Sequence, residues 1–240
     1  YPQIFVPKRH KDNASLLYNV QTIPYVVLFA PDGTILERWT PGEGLESHAR
    51  AYLAWIDRMR RAFPDVLFET CSSGGNRFDL GMLCYGPQIW CSDDTDPIER
   101  LQIQEGLSYL YPQSTFGAHV SAAPHAQTLR HTPLATRGNV SFFGCLGYEL
   151  DLKHLLPVEI KEVKAQTAFY KQYREVFQFG TFQRTKNGWQ VSDGKVTIAG
   201  VFHKLVHAAP GYEQLRLKGL DSAKRYRLHS REQKLRIGQF

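Results

Sequence analysis

The stretch VLFETCSSGGNRFD, residues 66–79, sets a short apolar segment in front of a glycine-rich turn, and QIWCSDDTDPIER, residues 88–100, repeats the plan with an acidic turn that leads into a helix. Val66 to Thr70 and Gln88 to Cys91 are short and apolar, as buried strands are. A helix is expected from about Pro97 to Tyr109 and a third strand from Thr115 to Val120. Strands that alternate with helices predict βα units and a parallel sheet, an α/β fold. A further helix, from about Val158 to Phe177, carries Ile160, Val163, Ala168, Tyr170 and Val176.

Upstream of this core, Leu45, Ala49, Tyr52, Leu53, Ile56 and Met59 recur at three- and four-residue steps, which predicts an amphipathic helix from about Leu45 to Ala62 ending at Phe63-Pro64. Further toward the start, the apolar run Tyr25 to Ala30, the turn pair Asp32-Gly33 and Thr34 to Leu36 read as a hairpin. After Gly180 the texture changes to short strands with turn punctuation. Trp189 to Val191, Lys195 to Lys204, Gln214 to Lys218 and Arg225 to Leu228 are expected as antiparallel strands, with turns at Asp193-Gly194 and Pro210-Gly211.

The chain has 240 residues, 42% hydrophobic and 22% charged, enough to bury a real core. No apolar run approaches the roughly 20 residues of a membrane-spanning helix, and no signal-peptide pattern opens the chain, so the expectation is a cytoplasmic protein without membrane contact. The net charge of +6 is local: Arg216 to Arg236 holds eight Lys or Arg and two acids, Asp221 and Glu232, which accounts for all of it. Basic and apolar residues alternate there, as in Leu215, Arg216, Leu217 and Lys218. This pattern fits a solvated strand face better than a nucleic-acid site. The four cysteines, Cys71, Cys84, Cys91 and Cys145, form no CxxC pair. Free thiols are expected, with no zinc site and no redox pair. His10, His125, His131, His154, His203 and His207 have no ligand-like spacing with acids or cysteines, so no metal or other cofactor is expected.

Chemistry concentrates at the two turns. Gly74 and Gly75, at a strand's C-terminal end, allow close backbone approach to a ligand. In the acidic turn, Thr95 or Asp96 before Pro97 is explained as a helix cap, but capping leaves Asp93 unexplained. His119, beyond the Thr115 strand, either faces the mouth of such a site or packs within the sheet.

These residues resemble a family. CSSGGNRFDLGMLCYGPQIWCSDDTDPIERLQIQEGLSYLYPQSTFGAHVSA, followed by TPLATRG and GYELDL, is similar to the α-galactosidases of glycoside hydrolase family 36, and the similarity runs from about Gly44 to Leu228. It implies a partial TIM-type β/α barrel, its last strands and helices, over residues 42–180, then an incomplete antiparallel β domain over 181–240. The implied activity is retaining hydrolysis of terminal α-linked galactose from oligosaccharides of the melibiose and raffinose type, with an α-galactoside as partner, no cofactor and room for a homo-oligomer. Asp93 matches the family's general acid/base, Cys71 and Gly74 match positions that contact sugar hydroxyls, and Trp90 matches the aromatic of the same strand. The family's nucleophile lies in a K-W-D-x-N-R motif that does not occur in this sequence; Lys11-Asp12-Asn13 is a poor imitation. Residues 18–38, YNVQTIPYVVLFAPDGTILER, resemble the second half of a thioredoxin-like domain, which marks 1–41 as a separate segment. A catalytically inactive carbohydrate-binding remnant and a thioredoxin-like interaction module are the competing expectations.

Overall fold

The computed structural model describes residues 26–29, 32, 34–39, 45–204, 208–209, 211 and 213–230, in two compact units that divide between Leu67 and Phe68. In the first unit, β1 (Val26–Phe29) and β2 (Ile35–Trp39) pair antiparallel, Val26 opposite Trp39. The Asp32 carboxylate accepts from the Thr34 amide at 2.9 Å and so shapes the turn, as the hairpin reading expects. Helix α1 (Leu45–Ala62) has the predicted limits and buries Ile56. Lys11-Asp12-Asn13 and the start of the thioredoxin-like stretch lie outside the described residues.

The second unit begins with β3 (Glu69–Thr70), α2 (Leu80–Leu83), β4 (Gln88–Ile89), α3 (Pro97–Leu107), β5 (Gly117–Ser121), α4 (Leu134–Ser141), β6 (Cys145–Glu149) and α5 (Pro157–Phe179). β3 pairs parallel with β4 and β5 parallel with β6. A parallel bridge between Ile89 and Phe116 joins the two pairs, so the spatial order β3, β4, β5, β6 is the sequence order. All four strands therefore present their C-terminal ends on the same side. The first strand is shorter than the expected Val66 to Thr70, because Val66 and Leu67 are exposed rather than buried. The third starts at Gly117, not Thr115, because Gln113–Thr115 forms a 3-10 turn.

Two elements between the expected ones lack a strong local signal. α4 reads LATRGNVS, rich in poor helix formers, and β6 reads CLGYE, with a glycine at its centre. Both are held by buried side chains of their neighbours. Gln104 Nε2 donates to the carbonyls of Val140 and Phe143 at 3.3 and 3.2 Å, and Gln166 Nε2 donates to Leu134 O at 3.1 Å. Tyr170 donates to Gly144 O at 2.6 Å and accepts from Leu146 N at 3.2 Å, which fixes the entry into β6.

The same unit ends in an antiparallel sheet, β7 (Thr181–Thr185), β8 (Gly188–Ser192) and β9 (Thr197–Val201). The further strands expected at Gln214 to Lys218 and Arg225 to Leu228 do not form: both segments are irregular. Leu215, Tyr226 and Leu228 are exposed, so no buried face fixes a strand register. In place of a ladder, the Gln190 side chain pairs with the Lys218 backbone, donating to its carbonyl at 2.7 Å and accepting from its amide at 3.0 Å.

Sheet and helices share one core: Leu101 of α3, Val140 of α4, Phe142, Phe143, Tyr170, Val176 and Phe177, and Trp189 and Val191 of β8. Phe143 stands at its centre, with the rings of Phe177 and Trp189 both at 5.4 Å. No helix among the described residues is long and apolar enough to cross a membrane. Phe143→Ala should therefore loosen the helices and the antiparallel sheet together, lowering unfolding free energy by about 3–5 kcal/mol in one cooperative urea transition. Two separate transitions would show that the two parts do not share a core.

Candidate active site

Each residue of the turn after β4 has a distinct task. Ser92 Oγ accepts from the Asp94 amide at 3.1 Å, and Asp94 Oδ1 accepts from the Asp96 amide at 3.0 Å, so these two coil the turn. Thr95, buried, meets His125 Nε2 at 3.1 Å. Asp96, wholly buried, is the N-cap of α3: its carboxylate accepts from the amides of Ile98 and Glu99 at 2.8 and 3.4 Å, and from Thr128 and Arg130. Burial pushes its pKa up, but the hydrogen bonds from Thr128, Ile98, Arg130 and Glu99 outweigh that and hold the carboxyl below its ordinary value. Asp93 differs from the other acids: it is exposed, and its Oδ1 accepts from the Trp90 indole N–H at 3.1 Å. The tryptophan meets this acid through its polar edge.

Gly74 is buried with φ +79°, and a Cβ there would stand 3.1 Å from both Asp93 N and Ser92 Cα. At Gly75 a Cβ would stand 2.6 Å from Cys91 O. The glycines expected to let the backbone approach a ligand thus let the turn after β3 lie against the turn that carries Asp93. The far end of the glycine turn is pinned where Tyr111 stacks on Phe78 at 4.3 Å and donates to its carbonyl at 3.1 Å. Gly74, Trp90 and Asp93 are therefore one cluster. Cys71 stands at the end of the neighbouring strand with its thiol exposed.

His119 on β5 makes packing contacts within the sheet. Its ring lies 4.5 Å from that of Trp90, and its Nδ1 is 3.7 Å from Glu149 Oε2 at the end of β6. Gly147, its partner in the ladder, leaves the ring its space. Burial, with the Arg100 charge adding to it, lowers the His119 pKa and favours the neutral imidazole.

Sequence reasoning missed three contributors. Arg100, 2% exposed, sends its guanidinium under the acidic turn; its only sequence signal is a charge on the buried helix face of Leu101 and Gln104. His125, which the sequence offers only as a metal ligand to be excluded, is the second. It fastens Thr95 instead, and its Nδ1 accepts from the amides of Gln127 and Thr128 at 3.4 and 3.3 Å. Glu149 ends a strand that had no signal of its own. Among the described residues, no group of three or more His, Cys, Asp or Glu is placed to hold a metal ion.

The melibiase family model matches residues 42–180. The α-galactosidase Mel36A of Lactobacillus acidophilus is 43% identical over 194 residues, covering 78% of this chain and 26% of that protein. Among solved structures, the α-galactosidase from Lactobacillus brevis superposes with a TM-score of 0.68 at 51% identity, covering 69% of this chain and 24% of that one. A variant of the family 36 α-galactosidase AgaA from Geobacillus stearothermophilus, in complex with raffinose, also superposes with a TM-score of 0.68, at 45% identity over 70% of this chain and 25% of that one. The chain spans about a quarter of the length of each of these relatives.

Two outcomes follow from the site's electrostatics. His119 has a folded pKa below its ordinary 6.5, so below that pH the unfolded chain takes up the proton first. Stability should fall as pH drops from 6.5 and level off beneath the folded pKa. A melting series should show this component, and His119→Asn should remove it. Iodoacetamide at pH 8 should label the exposed Cys71 and Cys84 first. Cys145, pushed up to about 11 by burial, and Cys91, also raised by burial, should react only on unfolding, as peptide mass spectrometry would report.

Proposed function

The chain belongs to the melibiase family, and on that premise we propose that the protein carrying it is a retaining α-galactosidase with Asp93 as general acid/base. Support comes from the one observation that separates Asp93 from its neighbours: Asp94 and Asp96 bind main-chain amides of their own turn, whereas the Asp93 carboxyl is exposed and oriented by an indole N–H. Four parallel strands then act as consecutive staves of a β/α barrel, whose active sites form at the C-terminal ends of the strands. Cys71, Trp90, Asp93 and Glu149 all occupy or follow such ends.

In this reading the terminal galactose of an oligosaccharide of the raffinose type lies against Trp90 and the turn of Cys71 and Gly74. Asp93 gives its proton to the glycosidic oxygen as the bond to the anomeric carbon breaks. A second carboxylate, about 5 Å away on the other face of the sugar, attacks that carbon and forms a glycosyl ester. Asp93, now ionised, takes a proton from water, whose oxygen displaces the ester and regenerates both groups. The chain's own contribution is the proton donor and its bed. The K-W-D-x-N-R motif that carries the nucleophile in the resemblance is not in this sequence.

Asp93→Asn in the whole protein should lower kcat on an unactivated α-galactoside by about 10²–10⁴-fold with little change in KM. The 240-residue chain by itself should show no turnover of an aryl α-galactoside above background. Turnover by the isolated chain that Asp93→Ala abolishes would mean that it contains a nucleophile of its own.

A further inference from the structure

Arg100 grips the acidic turn by its main chain. Its Nε donates to Asp94 O at 2.7 Å and its Nη2 to Ser92 O at 2.7 Å, the residues on either side of Asp93. Its Nη1 donates to Gly117 O at 2.9 Å and to Cys91 Sγ at 2.8 Å, which ties the turn to the start of β5. The guanidinium carbon lies 4.9 Å from the centre of the Trp90 ring, whose N–H binds Asp93. Arg130 and Asp96 form a charge pair, but among the described residues Arg100 has none: its four hydrogen-bond partners are three carbonyls and a thiol. A planar fork can span such a set, and a point charge cannot.

We propose that Arg100 is the positioning residue of this site, setting where the Asp93 carboxyl stands by fixing both the peptide units around it and the indole that orients it. The kinetic consequence rests on Asp93 being the acid/base; the structural consequence does not. The 15N-labelled chain provides the first test, through the indole N–H resonance of Trp90, assigned by its loss in Trp90→Phe. Asp93→Ala defines its position when the hydrogen bond is gone. Arg100→Lys, which keeps the charge and loses the fork, should move the resonance most of the way there. The Trp189 indole, bonded to Glu105 at 3.2 Å, should stay where it is and report that the fold is intact. A stationary Trp90 resonance in folded Arg100→Lys overturns the proposal. Should Arg100→Lys fail to fold, Cys91→Ala removes a single acceptor and should give a smaller movement in the same direction; no movement again overturns it.

The second test uses the whole protein. A misplaced proton donor hurts substrates whose leaving group needs the proton. Arg100→Lys should lower kcat/KM by about 10²-fold on a galactosyl sugar and by no more than about threefold on a nitrophenyl α-galactoside, the pattern that Asp93→Asn also gives. Equal losses on both substrates would mark a merely structural arginine and overturn the proposal. If Asp93→Asn itself shows no dependence on the leaving group, the acid/base reading fails, and the resonance decides the positioning role by itself.

Discussion

A permanently charged side chain that meets no carboxylate among the described residues lies beneath the acidic turn. A guanidinium taken out of water is expensive unless every N–H finds an acceptor. Arg100 places four of its five N–H groups, three on main-chain carbonyls and one on the Cys91 sulfur, which converts a solvation requirement into a geometric one: the turn after β4 must keep Ser92 O and Asp94 O converging on one point. That convergence turns the residue between them outward. The exposure of Asp93 follows from the same constraint that buries Arg100.

The constraint reaches the neighbouring strands. Gly117 O faces the guanidinium, so the start of β5 is tied to β4, where the ladder itself contributes only the single bridge between Ile89 and Phe116. The field reaches side chains too. It adds to burial in lowering the His119 pKa, and it opposes burial at Cys91, where burial still prevails and raises the thiol's pKa. At the end of the turn, Asp96 answers with the opposite sign, its carboxylate bound by helix amides, Thr128 and Arg130. One turn thus has a buried cation bound to its carbonyls and a buried anion at its end, and both act on backbone geometry.

How much of this could be read from sequence depends on whether a residue's partner is near in the chain. The helices at Leu45–Ala62 and Pro97–Leu107 follow from local periodicity and from a cap, and the alternation of strands and helices follows with them. Gly74 and Asp93 could be singled out because their residue types fit poorly with ordinary turn and cap roles. α4, β6 and the tasks of Arg100 and His125 were not legible, since each rests on a partner between 6 and 39 residues away, such as the 6 from Asp94 to Arg100, the 30 from Thr95 to His125 or the 39 from Gln104 to Phe143. The strand pattern after Gln214 misled for the converse reason. Alternation is a local signal, and without an edge to pair with and a face to bury it specifies no strand.

The division of labour within SDDTD bears on how Asp93 would work in the proposed role of proton donor. Were Asp93 to share the role of Asp94 or Asp96, its carboxyl would be occupied by main-chain amides of the turn. Among the described residues its hydrogen-bond partner is instead an indole N–H that reaches a single oxygen at 3.1 Å and leaves the second oxygen facing outward. An indole cannot give up its own proton, so it orients the carboxyl without competing as an acid. Rigidity of the surrounding turn then matters more than the strength of this bond, because a donor held by one hydrogen bond is placed only as well as the backbone beneath it. The glycines enter at this point: at Gly74 and Gly75 any side chain would push on Asp93 N or Cys91 O, so their lack of Cβ lets the turn after β3 lie directly against that backbone.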